Sequence, residues 1–487
     1  MKINLAQIGL YLGPLSFILI INLVQTSDLS PEGLSMLGLA AWMAIWWISE
    51  ALPIAATAFL PLIFMPTLGI LPIADTSANY MHPTVMLYMG GFLMATGIEK
   101  WNLHRRIALS IINLIGTDLR TIVLGFILAT GFLSMWISNS ATSLMMLPIG
   151  LAVVKQFQSQ IENNNSLSQN LGKNIMLGIA YGASIGGIAT LIGTPTNTIM
   201  VAVISDLYDY TIGFNEWFLF GLPLSLFLLF VTWYYLISYA NPLPKKFKLE
   251  NAKSIVGKQL ADLGKMSYEE KSVLIVFGLV CFSWIFREYL LQPLIPAIND
   301  TIIVLTGVVL LFVLPDSTKT KRILDWKTAE RIPWGILILF GGGLALAQGF
   351  QATGLAVWIG QKFTLIDGVG FFILLLIIVA SVNFLTEVTS NVATASMLLP
   401  ILASVASKLD LHPFGLMVGA TLAASCAFML PVATPPNAVV FGSGFLQMRD
   451  MVKAGFWLNL LSVLLITLMV FFVLPWFWGL DLLSNPF

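Results

Sequence analysis

The chain has 487 residues, 57% of them hydrophobic and only 10% charged, and its 24 basic and 24 acidic side chains cancel to a formal net charge of zero. Soluble domains carry about 25% charged residues, so this composition excludes a soluble globular protein, and no nucleic-acid partner is expected. Apolar runs long enough to cross a bilayer, about 17–25 residues each, recur from Leu5 to Phe477, which points to a multi-span membrane protein.

The first run, Leu5 to Val24 after Lys2, is long for a signal peptide and no small-x-small cleavage site follows it, so it reads as the first span. Further spans are predicted near 34–50, 54–68, 84–100, 174–205, 216–240, 271–291, 299–315, 333–350, 412–445 and 454–479. Two more stretches, 121–154 and 370–407, are too long for one upright crossing at 1.5 Å per residue, and each has polar residues near its centre. The segment 102–116, "NLHRRIALSIINLIG", mixes basic and apolar positions and reads as an arm along the membrane surface.

Charge decides whether the two long stretches cross or turn back. Lys and Arg gather in 100–120 (Lys100, Arg105, Arg106, Arg120), in 241–271 with seven lysines, and in 319–331 (Lys319, Lys321, Arg322, Lys327, Arg331). The alternate loops are acid-biased, with Asp28, Glu32, Asp75, Asp206, Asp209 and Glu216. If both stretches are hairpins, every basic loop falls on one side, with the N-terminus cytoplasmic and the C-terminus outside. The Lys-rich 241–271 loop reads most simply as a solvated cytoplasmic linker, with contact to anionic lipid as the alternative.

The hairpin stretches are related to one another. "SNSATSLMMLP" at 138–148 aligns with "SNVATASMLLP" at 390–400 at an offset of 252, with seven identities in eleven positions, and the same offset carries Gly90-Gly91 onto Gly342-Gly343. Five predicted crossings separate the two stretches, an odd number, so the hairpins enter from opposite faces: an inverted-topology repeat, in which ligands bind near the midplane between halves. Each hairpin is followed by a second motif inside a span, "GTPTN" at 193–197 and "ATPPN" at 433–437. Proline inside a helix deletes a hydrogen bond and clashes with the preceding turn, so both spans should break there. Non-helical backbone at that depth persists only where it is buried in protein or lines a cavity.

These breaks define a chemistry. Ser138-Asn139-Ser140 and Ser390-Asn391-Val392 mark helix starts, because Ser and Asn are favoured N-caps. A helix start offers free N–H groups and a partial positive charge to an anion. Carbonyls released at the breaks, with Ser and Asn oxygens, are hard ligands suited to Na⁺. A lone SNS is ordinarily a cap or an interhelical hydrogen-bonding element, and a lone Thr-Pro a kink; four such breaks, paired in opposite orientation, point to a transport site. Among acidic residues, Glu387 lies three residues before Ser390 and reads either as a structural or ion-tuning group or as a coupling group, whereas Glu50 reads as interfacial. Cys281 and Cys426 read as packing residues, and His82, His104 and His412 as scattered surface residues near segment ends. Trp46, Trp47, Trp101, Trp334, Trp476 and Trp478 read as an interfacial belt.

The paired SN-x-A-T tips, each followed by a Thr-Pro break, together with "SCAFMLPVATPPNAVV" at 425–440, resemble the divalent-anion:sodium symporters, which include bacterial Na⁺/dicarboxylate symporters. The resemblance covers nearly the whole chain. It implies an all-α polytopic fold with about eleven transmembrane helices plus two re-entrant helical hairpins and broken helices at the midplane. It implies a homodimer in which a transport part slides across a scaffold as an elevator. The scaffold would comprise 1–120 and mainly 271–350 of the 216–369 segment, and the transport part 121–215 and 370–487. Substrate carboxylates would be held by Ser138, Asn139, Ser140, Ser390, Asn391 and Val392, aided by Thr194, Pro195, Thr434 and Pro435. One Na⁺ site would use Ser134, Ser138, Asn139 and Gly193, the other Thr386, Thr389, Asn391 and Ala433. The usual third residue of the tip motif in that family is Thr; Ser140 keeps its hydroxyl and Val392 does not, leaving one carboxylate a donor fewer.

The expected function is Na⁺-coupled uptake of a C4-dicarboxylate such as succinate, malate or fumarate across the bacterial inner membrane, with Na⁺ co-transported and membrane lipid around the chain. The alternative within transport is a Na⁺-independent dicarboxylate exchanger or a carrier of sulfate or another divalent anion. An enzyme is not expected, since the sequence offers no nucleophile–base pair, metal cluster or phosphate loop.

Overall fold

The structure, a computed structural model, describes residues 5–24, 28–115, 118–160, 165–245, 252–362 and 368–487. Among the described residues every regular element is a helix, apart from one isolated bridge between Pro315 and Arg322. In order the helices are α1 (Leu5–Leu23), α2 (Pro31–Ser49), α3 (Ile54–Thr57), α4 (Leu60–Thr67), α5 (Ile73–Ala78), α6 (Pro83–Lys100), α7 (Leu103–Ile115), α8 (Leu119–Ser134), α9 (Asn139–Gln160), α10 (Asn165–Gly187), α11 (Pro195–Tyr208) and α12 (Phe214–Tyr235). They continue with α13 (Ala252–Asp262), α14 (Tyr268–Phe286), α15 (Asp300–Val313), α16 (Trp326–Ala329), α17 (Trp334–Ala352), α18 (Leu355–Lys362), α19 (Phe371–Leu385), α20 (Asn391–Lys408), α21 (Pro413–Ala424), α22 (Pro435–Phe441), α23 (Met448–Leu468) and α24 (Leu474–Trp478). Six of these helical segments are long and apolar enough to span a membrane, from Leu5–Leu23 to Met448–Trp478, and shorter apolar helices accompany them.

Both long apolar stretches are divided in two. α8 stops at Ser134 and α9 begins at Asn139; α19 stops at Leu385 and α20 begins at Asn391. Ser138 Oγ accepts the Ala141 N–H at 3.3 Å and Ser390 Oγ accepts the Ala393 N–H at 3.5 Å, so a side-chain cap starts each second helix. Both Thr-Pro motifs interrupt their spans as well. Thr194 (φ −138°, ψ 141°) and Thr434 (φ −142°, ψ 150°) are extended, as a residue before proline prefers, and Pro195 and Pro435 open α11 and α22, where a missing N–H costs nothing. The unwound segments are 188–194 and 425–434.

The broken spans form the centre. Every residue of α21 is buried, and so is every residue of α11 from Thr196 to Ile204, as expected of helices apolar on all sides. A smaller second core joins Met36, Met43, Trp47 and Met65 to Leu339, Leu346 and Phe350 of α17. Trp46 and Trp47 therefore belong to that core rather than to an interfacial belt, with Trp47 Nε1 donating to Ile54 O at 3.1 Å; Trp334 and Trp476 are exposed. His412 is likewise no surface residue: it is buried, and its Nδ1 accepts the Phe414 N–H to cap α21. Cys426 is fully buried and Cys281 half-buried, neither in a disulfide.

The arm 102–116 contains α7, which buries Leu103, Ala108, Leu109 and Ile112. Arg106 ties it to the start of α14 through Glu270, with Nε to Oε1 at 2.8 Å and Nη2 to Oε2 at 3.1 Å. The 241–271 loop is partly ordered as α13, while Lys246 and Lys248 lie outside the described residues.

α8 and α10 meet backbone to backbone, since a Cβ on Gly186 would stand 2.2 Å from Gly131 O. Small residues at such crossings let helices approach where lipid gives no hydrophobic drive. Gly186→Ala should therefore cost about 1–3 kcal/mol, read as a lowered Tm of the purified protein, whereas Gly278→Ala, inside α14 with nothing within 4 Å of the added carbon, should not lower Tm.

Candidate functional site

The two tips and the two unwound segments border one cavity of about 580 Å³. Of the residues singled out from the sequence, Ser138, Asn139, Ser140, Gly193, Thr194 and Pro195 line it from the first half, and Thr389, Ser390, Asn391, Val392, Ala433, Thr434 and Pro435 from the second. Ser134 and Thr386 do not line it; both are fully buried. Among the described residues, Glu50 is the single acidic residue in the lining, and no Lys, Arg or His is present there. The N-terminal ends of α9 and α20 both reach the cavity, so the attraction it offers an anion comes from backbone N–H groups and helix ends.

Behind each tip lies an oxygen cluster, and the side chains of the two clusters, Ser134 with Asn139 and Thr386 with Asn391, correspond at the 252-residue offset. In the first, Ser134 Oγ donates to Ala183 O at 2.7 Å and stands 2.5 Å from Asn139 Oδ1. The oxygen end of the Asn139 amide faces other oxygens: with the amide turned, its nitrogen takes that place and donates to Ala183 O and Gly193 O at 3.2 Å each. In the second, Thr386 Oγ1 hydrogen-bonds Asn391 Oδ1 at 2.7 Å and Ala424 O at 3.2 Å. Thr389, by contrast, is engaged within its own tip, with its Oγ1 2.9 Å from Leu385 O and 2.7 Å from Thr394 Oγ1.

The unwound segments are held by side-chain amides. Asn197 Nδ2 donates to Ile188 O (3.2 Å) and Thr190 O (2.9 Å), and Asn437 Nδ2 donates to Ala427 O (3.1 Å) and Leu430 O (2.9 Å), so the Asn of each TP-x-N motif staples the loop that precedes it. Gly193 packs on Gly187 so closely that a Cβ would lie 2.5 Å from Gly187 O. Thr196 and Ser425, one from each half, share a buried hydrogen bond of 2.7 Å.

Glu387 is buried and fully engaged. Its Oε1 accepts from Phe428 N (2.7 Å), Met429 N (2.9 Å) and Asn459 Nδ2 (2.7 Å), and its Oε2 from Leu430 N (3.0 Å). A carboxylate satisfying three backbone donors fixes the path of the unwound segment. At the same offset the first half has Met135, whose carbonyl accepts Thr190 Oγ1 at 2.5 Å. Sequence reasoning missed the carbonyls of Ala183 and Ala424, the Thr196–Ser425 bond and Asn459. Ser425 alone carried a signal, as part of the 425–440 motif.

The family model described as "Sodium:sulfate symporter transmembrane region" matches residues 6–482. The sodium-dependent dicarboxylate transporter SdcS of Staphylococcus saprophyticus is 46% identical over 486 residues, covering 98% of this chain and 93% of that protein. Its namesake in Staphylococcus aureus is 44% identical over 481 residues, covering 98% and 92%. Among solved structures, the Alcanivorax borkumensis YdaH transporter has a TM-score of 0.59 at 13% identity, covering 90% of this chain and 99% of that one. Neisseria gonorrhoeae MtrF has a TM-score of 0.57 at 12% identity, covering 94% and 98%. These two likenesses are of fold.

Replacing Glu387 by Gln turns one accepting group into a donor that faces a buried N–H. The expected cost is about 1–3 kcal/mol, seen as a lowered Tm, with the amides of 428–430 exchanging faster with deuterium than in the parent protein. Unchanged exchange would remove the clamp from the account of the site.

Proposed function

Because the chain belongs to the sodium:sulfate symporter family, and is therefore a multi-pass membrane transporter rather than an enzyme, we propose that it takes up C4-dicarboxylates such as succinate, malate or fumarate together with Na⁺. The observation that carries this reading is the meeting of both tips at one cavity without a basic side chain. A dianion there has helix N-termini and Ser and Asn side chains for its two carboxylates, and an adjoining cation for the remaining charge. Ser138, Asn139 and Ser140 take one carboxylate, Ser390 and Asn391 the other, with Thr194-Pro195 and Thr434-Pro435 closing the sides. Val392 adds no donor.

Na⁺ fits the oxygen clusters behind the tips. With Asn139 Oδ1 toward Ser134 Oγ, Ala183 O and Gly193 O, four hard oxygens face one another with the single proton of the Ser134 hydroxyl between them, an arrangement that suits a small cation. The second cluster supplies Thr386 Oγ1, Asn391 Oδ1 and Ala424 O, with Ala433 nearby. Because Asn139 and Asn391 belong to both the cation clusters and the cavity wall, cation and anion each organise the other's ligands. The names of the staphylococcal relatives agree with this coupling.

The remaining parts of the reading are architectural. The tips are re-entrant hairpins of an inverted repeat, residues 121–215 and 370–487 move as an elevator against a dimeric scaffold, and the plasma membrane holds the N-terminus inside and the C-terminus outside. His82 Nε2 and Asp206 Oδ1, 3.2 Å apart, bridge α6 of the scaffold and α11 of the moving part, a contact that the motion would break.

In proteoliposomes, labelled succinate should accumulate with an inward Na⁺ gradient and not without one. Counterflow of equal rate in the absence of Na⁺ would instead identify an exchanger, and competition by sulfate but not by malate would identify a sulfate carrier. Asn139→Ala and Asn391→Ala should each reduce uptake to background while the detergent-purified oligomer elutes unchanged; transport at the parent rate in either would remove that tip from the site.

A further inference from the structure

A second cavity, of about 660 Å³, opens between α12 and α23, away from the tips. Its wall is largely aromatic and aliphatic, with Val231, Tyr234, Tyr239, Trp457 and Leu461 among its members. Tyr235 Oη donates to Ala454 O at 3.1 Å, joining the two helices.

The backbone of α12 builds this groove. After Tyr235 the helix widens into a π turn over Leu236–Ala240, closed by Asn241 N–H to Leu236 O at 3.0 Å. In an α-helix, residues five apart point about 140° away from each other. The wider turn, with its i to i+5 bonding, returns Tyr239 to the side of Tyr234, and their ring centroids lie 6.0 Å apart. Both side chains are exposed, and among the described residues neither hydroxyl has a protein partner.

The charges in the groove are unequal. Asp450 is neutralised by Lys173, Nζ to Oδ1 at 2.7 Å, and its other oxygen accepts the Gln447 N–H at 3.0 Å. Lys453, in the same lining, is exposed and has no acidic partner among the described residues. This is also the end of the bundle where Arg120 donates to Leu243 O and Trp233 Nε1 donates to Arg120 O. One uncompensated ammonium and two phenol donors therefore sit at the mouth of an apolar groove.

We propose that this groove binds an anionic phospholipid, with the phosphodiester on Lys453 Nζ and the hydroxyls of Tyr234 and Tyr239 and an acyl chain along the wall of α12 and α23. A basic residue near an anionic bilayer surface is worth about 1 kcal/mol, and tyrosines favour the headgroup level, where one end of the ring is wet and the body is not. A free phosphate would leave the apolar wall uncovered, and a zwitterionic lipid would bring its own cation to Lys453. The inference is independent of which solute is carried.

The test is native mass spectrometry of the purified full-length protein with phosphatidylglycerol, with phosphatidylcholine or with inorganic phosphate. The parent protein should retain phosphatidylglycerol over phosphatidylcholine. Lys453→Gln should weaken that retention about fivefold, and Lys453→Glu should weaken it further. Tyr239→Phe should weaken it as well, and Lys327→Glu, an equal charge change at an exposed lysine elsewhere, should leave it unchanged. Lys453 is exposed and unpaired, so these variants should elute as the parent does. Equal phosphatidylglycerol retention in Lys453→Glu, equal retention of phosphatidylcholine by the parent, or displacement of the lipid by phosphate alone would each overturn the proposal.

Discussion

Unwound backbone inside an apolar bundle must find a partner for each N–H and C=O, since an unsatisfied group costs about 1–3 kcal/mol, and the centre of this protein is organised around that demand. Two helices are interrupted near their middles, each by a Thr-Pro pair. The freed carbonyls of Ile188, Thr190, Ala427 and Leu430 are taken up by Asn197 and Asn437, and the freed N–H groups of 428–430 by Glu387. The segments so held border, with the two tips, a common cavity.

A cavity framed in this way is, among the described residues, lined by no basic side chain. An arginine would hold a carboxylate strongly whether or not a cation were present. Helix ends and neutral amides would hold it weakly, so under the proposed coupling a cation in the oxygen clusters behind the tips would contribute to anion affinity rather than merely accompany it. Asn139 and Asn391, which belong both to the oxygen clusters and to the cavity wall, stand where a single side chain would affect both events.

Much of this was legible in the sequence because the chain repeats itself. The 252-residue offset paired the tips, Thr-Pro marked the interruptions, and Ser-Asn marked the helix starts, each through local chemistry that survives in a one-dimensional reading. What escaped was whatever depends on depth or on backbone. Ala183 and Ala424 contribute carbonyls, which carry no side-chain signature. Trp46 and Trp47 lie close to the end of α2 in sequence, yet Trp47 is covered on every side by α17 and its neighbours. His412 looked like a surface residue for the same reason. Glu387 was conspicuous as an acidic residue beside a tip, but its role rests on donors some forty residues further on.

The two interruptions also differ in where their supports come from. The one at 188–194 is closed by Asn197, Trp217 and Met135, all made before residue 220, whereas the one at 425–434 leans on Tyr181 and Thr196 of the first half as well as on Asn459, which follows it. A chain that emerges from the ribosome N-terminus first can finish the earlier interruption by itself and then use it as a template for the later one. Completion of the site would thus be ordered in time: a nascent chain halted before α23 would hold a settled first half and a second half whose Glu387 clamp still lacks Asn459.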